Sequence, residues 1–496
     1  MPNAIVPKTG NQDIDGILWG NEWTDATLTY YFPTSATDYT NFGYNSVNGF
    51  QTFNTAQQNA VHAIMAMYAG AINLNFVFNN TMFNSIRFAE ADSVNFGQGN
   101  FNIGTALGIA PDPGDWNTVA HGDTFYNATD FDNPVKGTYA YFNTMHEVGH
   151  ALGLKHGHAT QFDNQTGQTY PKLPSSHNSS EFSIMTYATY IGADTTDGTL
   201  WAGDGSFAQT LMQNDIRALQ HMYGADFTTN NGNTVYKWSP STGETFVNGA
   251  SQGRPFENKI LMTVWDGGGT DTYDLSNYSN AVTIDLRPGS FSKTGTGQLA
   301  NLGFYANDGT HLARGNIANA LLFNGDLRSL IEYAKGGSGS DTIYGNQAKN
   351  TVYANGGNDF VRGFDNNDIL YGGAGNDSID GGLGVDTLTG NVGRDVFVYR
   401  ALQDSRLTTP TSDLIRDFAH SNGDRLHLSN IDAVAGSGNQ AFEFIGRSGF
   451  NHAGQVRYTW ANNDTYVWIN TDSDRTAEMM IRLDGTKTLV VSDFVL

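Results

Sequence analysis

The sequence of 496 residues contains no cysteine, so neither disulfide bonds nor thiol chemistry can be part of its function. Basic residues are also few: 26 Lys and Arg stand against 49 Asp and Glu, a formal net charge of −23. This charge argues against nucleic acid and anionic membranes as partners. No apolar stretch approaches the roughly 18 residues of a membrane span. Residues 1–20 lack the basic start and apolar run of a secretory signal peptide.

One short segment has the spacing of a hydrolytic zinc centre. His146 and His150 are four residues apart, so on a helix both imidazoles lie on one face. Glu147 lies about 100° further around the helix, near enough to reach a metal-bound water without being a ligand. Gly153 allows the chain to leave the helix and turn back, which makes His156 a third ligand. Three protein ligands leave a fourth position open, as in catalytic zinc sites.

Two less specific explanations of this segment were weighed: a metal site that only stabilises the fold, and a degenerate site that has lost activity. A structural zinc site normally has a fourth protein ligand, which this spacing does not supply. Two His and one Glu alone would be weaker, because such residues also occur on solvated helices. The third His and the Gly therefore favour catalysis.

Residues 336–398 repeat every nine residues, seven times without a gap. The sixth and eighth positions are Asp341/Ile343, Asn350/Val352, Asp359/Val361, Asp368/Leu370, Asp377/Ile379, Asp386/Leu388 and Asp395/Phe397. This period is typical of a calcium-binding parallel β-roll, with glycines in tight turns, an Asp ligand and an inward apolar residue. A flexible Gly- and Asp-rich linker would not hold an apolar residue at one phase in every copy. Only nine acidic residues are Glu, and the excess of Asp suits compact oxygen-ligand loops.

Calcium ligands are predicted in the glycine turns and at the sixth positions: Gly336, Gly337, Gly339, Asp341, Gly356, Asp359, Asp368, Gly372, Gly373, Gly375, Asp377, Gly381, Gly382, Gly384, Asp386 and Asp395. A separate loop before the repeats adds Asp266, Gly268, Gly269 and Asp271. Two copies are degenerate: residues 345–350 lack the later glycines and the Asp, and Phe364 and Asn366 replace glycines in another. We expect these defects to weaken particular calcium sites and to leave the roll intact.

A second segment makes the likeness to a known family specific. Met185 follows His156 by 29 residues, within the sequence SIMTY at 183–187. Alone, a Met followed by a Tyr would indicate ordinary core packing. With the zinc segment it resembles the Met-containing turn of metzincin peptidases, and the chain resembles the serralysins, secreted bacterial metzincins. In that family the Tyr two residues after the Met is an extra zinc ligand that moves toward the substrate, which here implies Tyr187.

The resemblance runs from about residue 12 to the C-terminus and implies a multidomain fold. Its class is an α/β (α+β) metzincin zinc-peptidase domain followed by an all-β domain with a parallel β-roll and flanking antiparallel strands. The predicted domains are a short leader or pro-segment (1–11), the catalytic domain (12–225), a β-strand region with calcium loops (226–335), the β-roll (336–398) and a C-terminal β-strand region with the export signal (399–496). Whether a latent zymogen exists stays open.

The family also implies details of the β-rich half. Glu332, just before the repeats, matches a family calcium ligand. The family often has an Arg and an Asp at another calcium site, where this chain has residues 230–234 (NNGNT), so that ion is doubtful.

Asp493–Leu496 resembles the family's terminal acidic residue followed by three apolar ones, which belongs to a C-terminal region read by a one-step export system. The implied location is extracellular. The implied partners are protein substrates, type I-like export machinery and a protein inhibitor, and the chain is expected to be a monomer.

The expected mechanism uses zinc on the three histidines, Glu147 as general base, Tyr187 as oxyanion stabiliser and Met185 as the floor beneath the metal. The competing class is a calcium-dependent extracellular binding or surface protein with a vestigial zinc site.

Residues 105–110 are a candidate edge strand for pairing with substrate backbone. Apolar periodicity predicts helices over 55–72 and 212–223 and strands over 74–78, 85–88 and 123–126. The remaining histidines considered lack metal spacing and are expected to be ordinary surface or loop residues: His121, His158, His177 and His221.

Overall fold

The computed structural model describes residues 3–40, 44–79, 86–95, 100–103, 106–108, 122–163, 167–196, 200, 202–303, 311–434, 436, 438 and 440–496. The α-helices in these ranges are α1 (Gln12–Asp15), α2 (Thr37–Thr40), α3 (Thr55–Ala71), α4 (Tyr139–Ala151) and α5 (Gln213–Tyr223). None of the described helices has the length and apolar character needed to cross a bilayer.

The strands before residue 225 are β1 (Asn3–Ile5), β2 (Asn21–Trp23), β3 (Thr27–Tyr31), β4 (Ser46–Asn48), β5 (Asn75–Phe78), β6 (Ile86–Glu90), β7 (Ser93–Asn95), β8 (Asn100–Asn102), β9 (Ala106–Gly108), β10 (Thr124–Tyr126), β11 (Gln161–Asp163) and β12 (Gln168–Tyr170). Five of them form one sheet in the order β5-β3-β6-β10-β9. Only β9 runs antiparallel to its neighbour, and it lies at the edge. The predicted helices and strands of this half are confirmed to within one or two residues.

Helix α3 shows how local sequence sets an element's start. The Asn54 side chain accepts the N–H groups of Ala56 and Gln57, while the Asn54 N–H donates to Gln57 Oε1 at 2.7 Å. This reciprocal cap satisfies donors that a helix start leaves without partners. One face of α3, including Val61, Ile64 and Tyr68, then packs in the hydrophobic core of this half.

The strands after residue 225 are β13 (Val235–Trp238), β14 (Thr245–Val247), β15 (Ala250–Ser251), β16 (Met262–Val264), β17 (Thr272–Asp274), β18 (Thr283–Asp285), β19 (Phe291–Ser292), β20 (Ile317–Asn319), β21 (Tyr333–Lys335), β22 (Thr342–Tyr344), β23 (Thr351–Gly356), β24 (Phe360–Asp365), β25 (Ile369–Ala374), β26 (Ser378–Leu383), β27 (Thr387–Val392), β28 (Val396–Val398), β29 (Leu414–Ile415), β30 (Arg425–His427), β31 (Glu443–Phe444), β32 (Gln455–Ala461), β33 (Asp464–Asn470), β34 (Met479–Leu483) and β35 (Phe494–Val495). They form sheets of 13, 7 and 3 strands.

Successive nonapeptides alternate between the two larger sheets, so each strand pairs in parallel with the strand 18 residues further on. Ile343 pairs with Val361, and Val352 pairs with Leu370. The seven apolar residues at the eighth position are all fully buried between the sheets. The predicted inward position of these residues is confirmed, and it follows from the two-residue alternation of side chains along a strand.

Parallel pairing extends beyond the repeats on both sides. The strand β21 pairs with β17 and β17 with β13, while β29, β30 and β35 continue the two sheets after residue 398. The expectation that the strands flanking the roll are antiparallel was therefore wrong in part. Antiparallel pairing is found at β32–β33–β34 and in the β13–β14–β15 hairpin. An open end of the roll presents unpaired N–H and C=O groups, and strands without the repeat can satisfy them equally well.

Candidate metal centre

Helix α4 carries the first two histidines into the interior. Thr138 caps its start by accepting the N–H of Tyr141, and every residue from Ala140 to Ala151 is buried. A helix buried on all sides is held by its surroundings and not by a single face. His146 and His150 are therefore fixed in place by packing.

The chain reverses after α4 as the glycine predicted. Gly153 has a φ of +97°, and a Cβ there would lie 2.2 Å from the carbonyl oxygen of Asn21. Only glycine fits both the left-handed backbone and this close approach. Two residues later, Lys155 is buried and donates from Nζ to the carbonyls of Gly16 at 2.5 Å, Ala159 at 2.8 Å and His156 at 3.2 Å. The loop that carries the third histidine is thus anchored to the end of α1.

Backbone carbonyls set the tautomers of two of the histidines. Nδ1 of His146 lies 2.7 Å from the carbonyl oxygen of Ile184, and Nδ1 of His150 lies 2.7 Å from that of Leu154. A carbonyl only accepts, so each Nδ1 carries the proton and each Nε2 presents a lone pair. Such outer hydrogen bonds are what orient metal-binding imidazoles.

The three Nε2 atoms converge on one point. Nε2 of His156 lies 3.1 Å from Nε2 of His150 and 3.2 Å from that of His146. Zinc with Zn–N bonds of about 2.0–2.1 Å in a tetrahedral arrangement requires about 3.3 Å between ligand nitrogens. The three imidazoles therefore fit one zinc ion, and they form a group of potential metal ligands in the described part of the chain.

Burial keeps these imidazoles neutral. It lowers the pKa of His146 to about 3 and that of His150 to about 4, and it also lowers the pKa of His156. The neighbouring imidazoles add to the lowering for His146 and His156. Neutral imidazole is the form that binds metal.

The Met-containing turn lies directly against α4. A Cβ on Gly149 would meet Sδ of the fully buried Met185 at 2.6 Å, so a glycine is needed where the helix crosses the turn. Asp215, in the first turn of α5, holds this segment: it accepts from the Ser183 hydroxyl at 2.6 Å and the Ile184 N–H at 2.8 Å. Ile184 is therefore bonded to Asp215 through its N–H and to a zinc-site histidine through its carbonyl.

Tyr187 lies beside the three histidines. Its ring centroid is 4.6 Å from that of His156 and 6.0 Å from that of His146. Burial, and secondarily the charge of Glu147, raises the pKa of Tyr187 to about 12. The phenol therefore keeps its proton at neutral pH. Glu147 is itself buried, on the same helix as the first two histidines.

One histidine expected to be an ordinary loop residue is part of this centre. His158 stacks on Tyr187 with centroids 4.5 Å apart and planes at 28°, and it stacks on His156 at 5.2 Å. Its Nδ1 accepts the backbone N–H of Tyr187 at 3.2 Å. Spacing gave no sign of this role, because the contact joins two loops 29 residues apart. His177 instead pairs with Asp13 at 2.8 Å.

His221 is on helix α5, with its Nε2 atom 3.3 Å from the carbonyl oxygen of Pro7. His121 lies outside the described residues. Strand β9 covers 106–108 of the predicted edge strand, and the other residues of 105–110 also lie outside the described ranges. Its position at the edge of the five-stranded sheet and against α4 agrees with the prediction.

The aspartates of the roll form two ladders. The N–H of Asp341 donates to Asp359 Oδ1, that of Asp359 to Asp377, and that of Asp377 to Asp395, at 2.7–2.9 Å. On the other side Asp368 donates to Asp386, and a residue after the repeats, Asp413, continues the ladder. The second carboxylate oxygens are buried and make no hydrogen bond within the described chain: those of Asp359, Asp368, Asp377, Asp386, Asp395 and Asp413.

Buried, unsatisfied carboxylate oxygens are what a hard cation such as calcium would compensate. Burial raises the pKa of Asp359 to about 7 and that of Asp368 to about 9. The glycines pack closely here: Gly375 has a φ of +134°, and a Cβ would lie 1.6 Å from the Gly357 carbonyl oxygen. The predicted calcium residues of the roll thus lie together at its turns, and their chemistry fits the ion.

The degenerate copies differ in an instructive way. Asn350 uses its amide in hydrogen bonds to Asn346 and to the carbonyl of Glu332, so neutral bonds stand where other copies have a carboxylate. The first copy is not degenerate, but its Asp341 also has both oxygens satisfied by backbone N–H groups, of Val282 and Gly337. Phe364 adopts a φ of +84°, a conformation that costs a non-glycine residue about 1–2 kcal/mol.

The residues of the separate loop at 266–271 lie close to Glu332 and to each other. Asp271 donates its N–H to Glu332 Oε2 at 2.8 Å, and its own Oδ2 is buried without a partner in the described chain. Asp266 accepts from Gly268 N–H at 2.7 Å. A Cβ on Gly269 would meet the carbonyl oxygen of Gly232 at 2.4 Å, so the 230–234 segment packs over this loop. Burial raises the pKa of the carboxylates of Asp266, Asp271 and Glu332.

The described residues thus combine a neutral three-imidazole centre beside an edge strand with a parallel roll lined with aspartates. Comparison with known proteins shows the family to which this chain belongs. The family described as Peptidase M10 serralysin C terminal matches residues 225–496. The chain therefore belongs to the serralysin family.

Three relatives span more of the chain. Metallopeptidase AprA of Pseudomonas marginalis is 29% identical over 356 residues, covering 70% of this chain and 66% of the relative. Serralysin G of Dickeya chrysanthemi is 29% identical over 359 residues (70% and 65%). Serralysin A of the same organism is 31% identical over 302 residues (59% and 58%). The matched part of this chain spans 58–66% of the length of these relatives, less than two thirds of each.

Proposed function

We propose that this protein is a secreted zinc-dependent endopeptidase that hydrolyses peptide bonds in proteins and is stabilised by calcium. The observation that carries the proposal is the convergence of three neutral imidazoles, with Nε2 atoms 3.1–3.2 Å apart, beside the buried Glu147. Its relatives are named as metallopeptidases and serralysins.

His146, His150 and His156 would hold the zinc ion. When bound, zinc supplies Lewis acidity that polarises the scissile carbonyl and makes the attacking water more acidic. Glu147 accepts the proton of that water and passes it to the leaving amine. Tyr187, which burial keeps protonated, donates a hydrogen bond to the oxyanion.

Strand β9 is proposed to bind substrate. It is the edge strand of its sheet and lies against the zinc helix, so an extended peptide can add to the sheet through backbone hydrogen bonds. Backbone pairing does not select side chains, which supports a broad range of protein substrates. Export through a type I-like system and control by a protein inhibitor complete the proposal.

Calcium is proposed to bind the buried aspartates of the roll and the loop at 266–271 with Glu332. Bound only by the folded form, it stabilises that form by mass action. A protein that meets calcium only outside the cell would then fold there.

The test compares Glu147→Gln with the matched surface variant Glu257→Gln, at an exposed position outside the metal centre. We expect Glu147→Gln to keep one zinc per chain and its circular-dichroism spectrum but to lose more than about 1000-fold in casein hydrolysis, since it cannot accept the proton. Cleavage-site profiling on a peptide library, with a zinc chelator as a second control, gives the side-chain preference. Full turnover by folded, zinc-loaded Glu147→Gln would overturn the mechanism. A wild-type protein that binds zinc and cleaves nothing would favour the calcium-dependent binding protein.

A further inference from the structure

A second concave site lies on the antiparallel sheet of the C-terminal region. It has a volume of about 420 Å³ on one face of the β32–β33 pair. Its walls are Arg457, Thr459, Trp468, Leu407, Phe450 and Arg475. None of these residues belongs to the metal centre or to the aspartate ladders.

The pocket contains two guanidinium groups, those of Arg457 and Arg475. Of the 16 arginines in the sequence, seven form ion pairs with described residues and nine form none. Arg457 and Arg475 form none with the residues that the structure describes. Nε of Arg457 is buried and makes no hydrogen bond to any described residue. A buried donor without an acceptor is destabilising, and the described part of the chain leaves this cost uncompensated.

The carboxylates nearest to Arg475 in sequence are Asp472, Asp474 and Glu478, which converge within 4.8 Å of one another and form no ion pair with Arg475. They accept hydrogen bonds from their own loop. Asp474 accepts from the N–H and hydroxyl of Thr476 at 2.7 and 2.6 Å, and Glu478 accepts from the N–H of Thr471 at 2.6 Å. Arg475 itself has a φ of +67°, a backbone conformation that non-glycine residues rarely adopt. Strain of this kind tends to occur at binding sites.

The other walls are mainly apolar, and a hydrogen bond holds the tryptophan ring among them. The Trp468 indole donates to the Thr459 hydroxyl at 2.9 Å, which fixes the ring and engages the hydroxyl group of the wall. The Arg457 guanidinium lies 5.6 Å from the centroid of the Phe450 ring. Hydrogen-bonding capacity in the pocket is thus concentrated in the two guanidinium groups. A sugar, with many hydroxyls, would find too few partners.

We propose that this pocket binds a single carboxylate carried on an apolar body, namely the C-terminal end of a peptide whose last residue is apolar. The planar guanidinium fork matches a carboxylate in two parallel hydrogen bonds. The apolar walls take the last side chain. The net charge of −23 disfavours a polyanion and leaves a ligand with one charge as the better match. This site goes beyond peptide hydrolysis and does not depend on it.

The experiment uses full-length Glu147→Gln protein with calcium, so that peptides stay intact. The probe is N-acetyl-Ala-Phe as the free acid and as the C-terminal amide, measured by isothermal titration calorimetry. The acid should bind at least about tenfold more tightly than the amide. Adding Arg457→Gln or Arg475→Gln should weaken binding of the acid at least about tenfold. Adding Arg447→Gln, whose guanidinium stacks on Trp460 outside the pocket, should leave it unchanged.

Equal affinity for acid and amide, or no heat at millimolar peptide, would overturn the proposal. Tighter binding of galacturonate or decanoate than of the peptide would also overturn it, in favour of a sugar acid or a fatty acid. If Arg457→Gln fails to fold, Arg475→Gln on the exposed loop decides the question. A zinc-loaded protein without peptidase activity would leave this result intact, so the two failures are distinguishable.

Discussion

Replacing Asp215 tests whether the Met-containing turn holds the metal centre in place. This fully buried carboxylate accepts three hydrogen bonds: from the Ser183 hydroxyl at 2.6 Å, the Ile184 N–H at 2.8 Å and the Met212 N–H at 2.9 Å. Ile184 in turn holds His146 through its carbonyl. Asp215→Ala should therefore disturb both folding stability and zinc affinity.

The magnitude follows from the donors that lose their acceptor. Asp215→Ala leaves three buried donors unsatisfied at about 1–3 kcal/mol each, so we expect a loss of roughly 3–9 kcal/mol in unfolding free energy. Asp215→Asn keeps an oxygen for the two N–H groups and strands only the Ser183 hydroxyl proton, which predicts about 1–3 kcal/mol. Zinc affinity of the Ala variant should fall about 10- to 100-fold, the usual effect of losing an outer-shell partner.

The pH dependence gives a second, independent readout. Burial raises the pKa of Asp215 to about 7 from 3.8. A carboxyl group with a raised pKa in the folded state favours folding below its unfolded pKa, and this contribution is lost as pH rises through 7. The shift corresponds to about 4 kcal/mol. Asn does not titrate, so the stability advantage of wild type over Asp215→Asn should shrink between pH 5 and pH 8.

The assay is urea unfolding with calcium present, followed through the helical circular-dichroism signal at pH 5, 6.5 and 8, with zinc affinity from chelator competition. An Ala variant within 1 kcal/mol of wild type, with unchanged zinc affinity, would refute the reasoning. So would a stability difference from the Asn variant that grows with pH.

Gly375→Ala should destabilise the roll by at least about 3 kcal/mol, because the new Cβ meets the Gly357 carbonyl oxygen at 1.6 Å. Gly297→Ala, where a Cβ has open space, should be neutral. Thermal melts of the calcium-loaded variants compare the two, and equal melting temperatures would contradict the packing argument. His158→Ala should keep zinc but lower kcat about tenfold, because Tyr187 loses the imidazole ring that stacks on it and the Nδ1 atom that accepts its N–H. An unchanged kcat on a peptide substrate would show that His158 is dispensable. In EDTA the β-rich half should unfold at a higher urea concentration at pH 5 than at pH 8. Burial raises the pKa of the roll carboxylates, so their ionisation above pH 7 opposes folding. Identical midpoint urea concentrations at the two pH values would contradict this.

Some of the metal centre and most of the roll could be read from local spacing. His146 and His150 face one way because a helix has 3.6 residues per turn, and Gly153 turns the chain because only glycine accepts its backbone conformation. The period of nine placed the apolar eighth residues inward for the same kind of reason: side-chain direction along a strand is a property of a few consecutive residues. These features need no knowledge of what lies elsewhere in the chain.

Tertiary structure alone decided what supports them. Asp215 reaches the Met-containing turn from helix α5, whereas Lys155 and His158 flank His156 but contact distant segments. No periodicity marks a contact that spans 29 or more positions of sequence. Asp413 likewise extends the aspartate ladder from outside the repeat. Strands before and after the nonapeptides also pair in parallel with the strands of the roll and its neighbours. Helix and strand periods determine which way a side chain points, whereas its partner depends on how distant segments pack, and packing is settled by the whole chain at once.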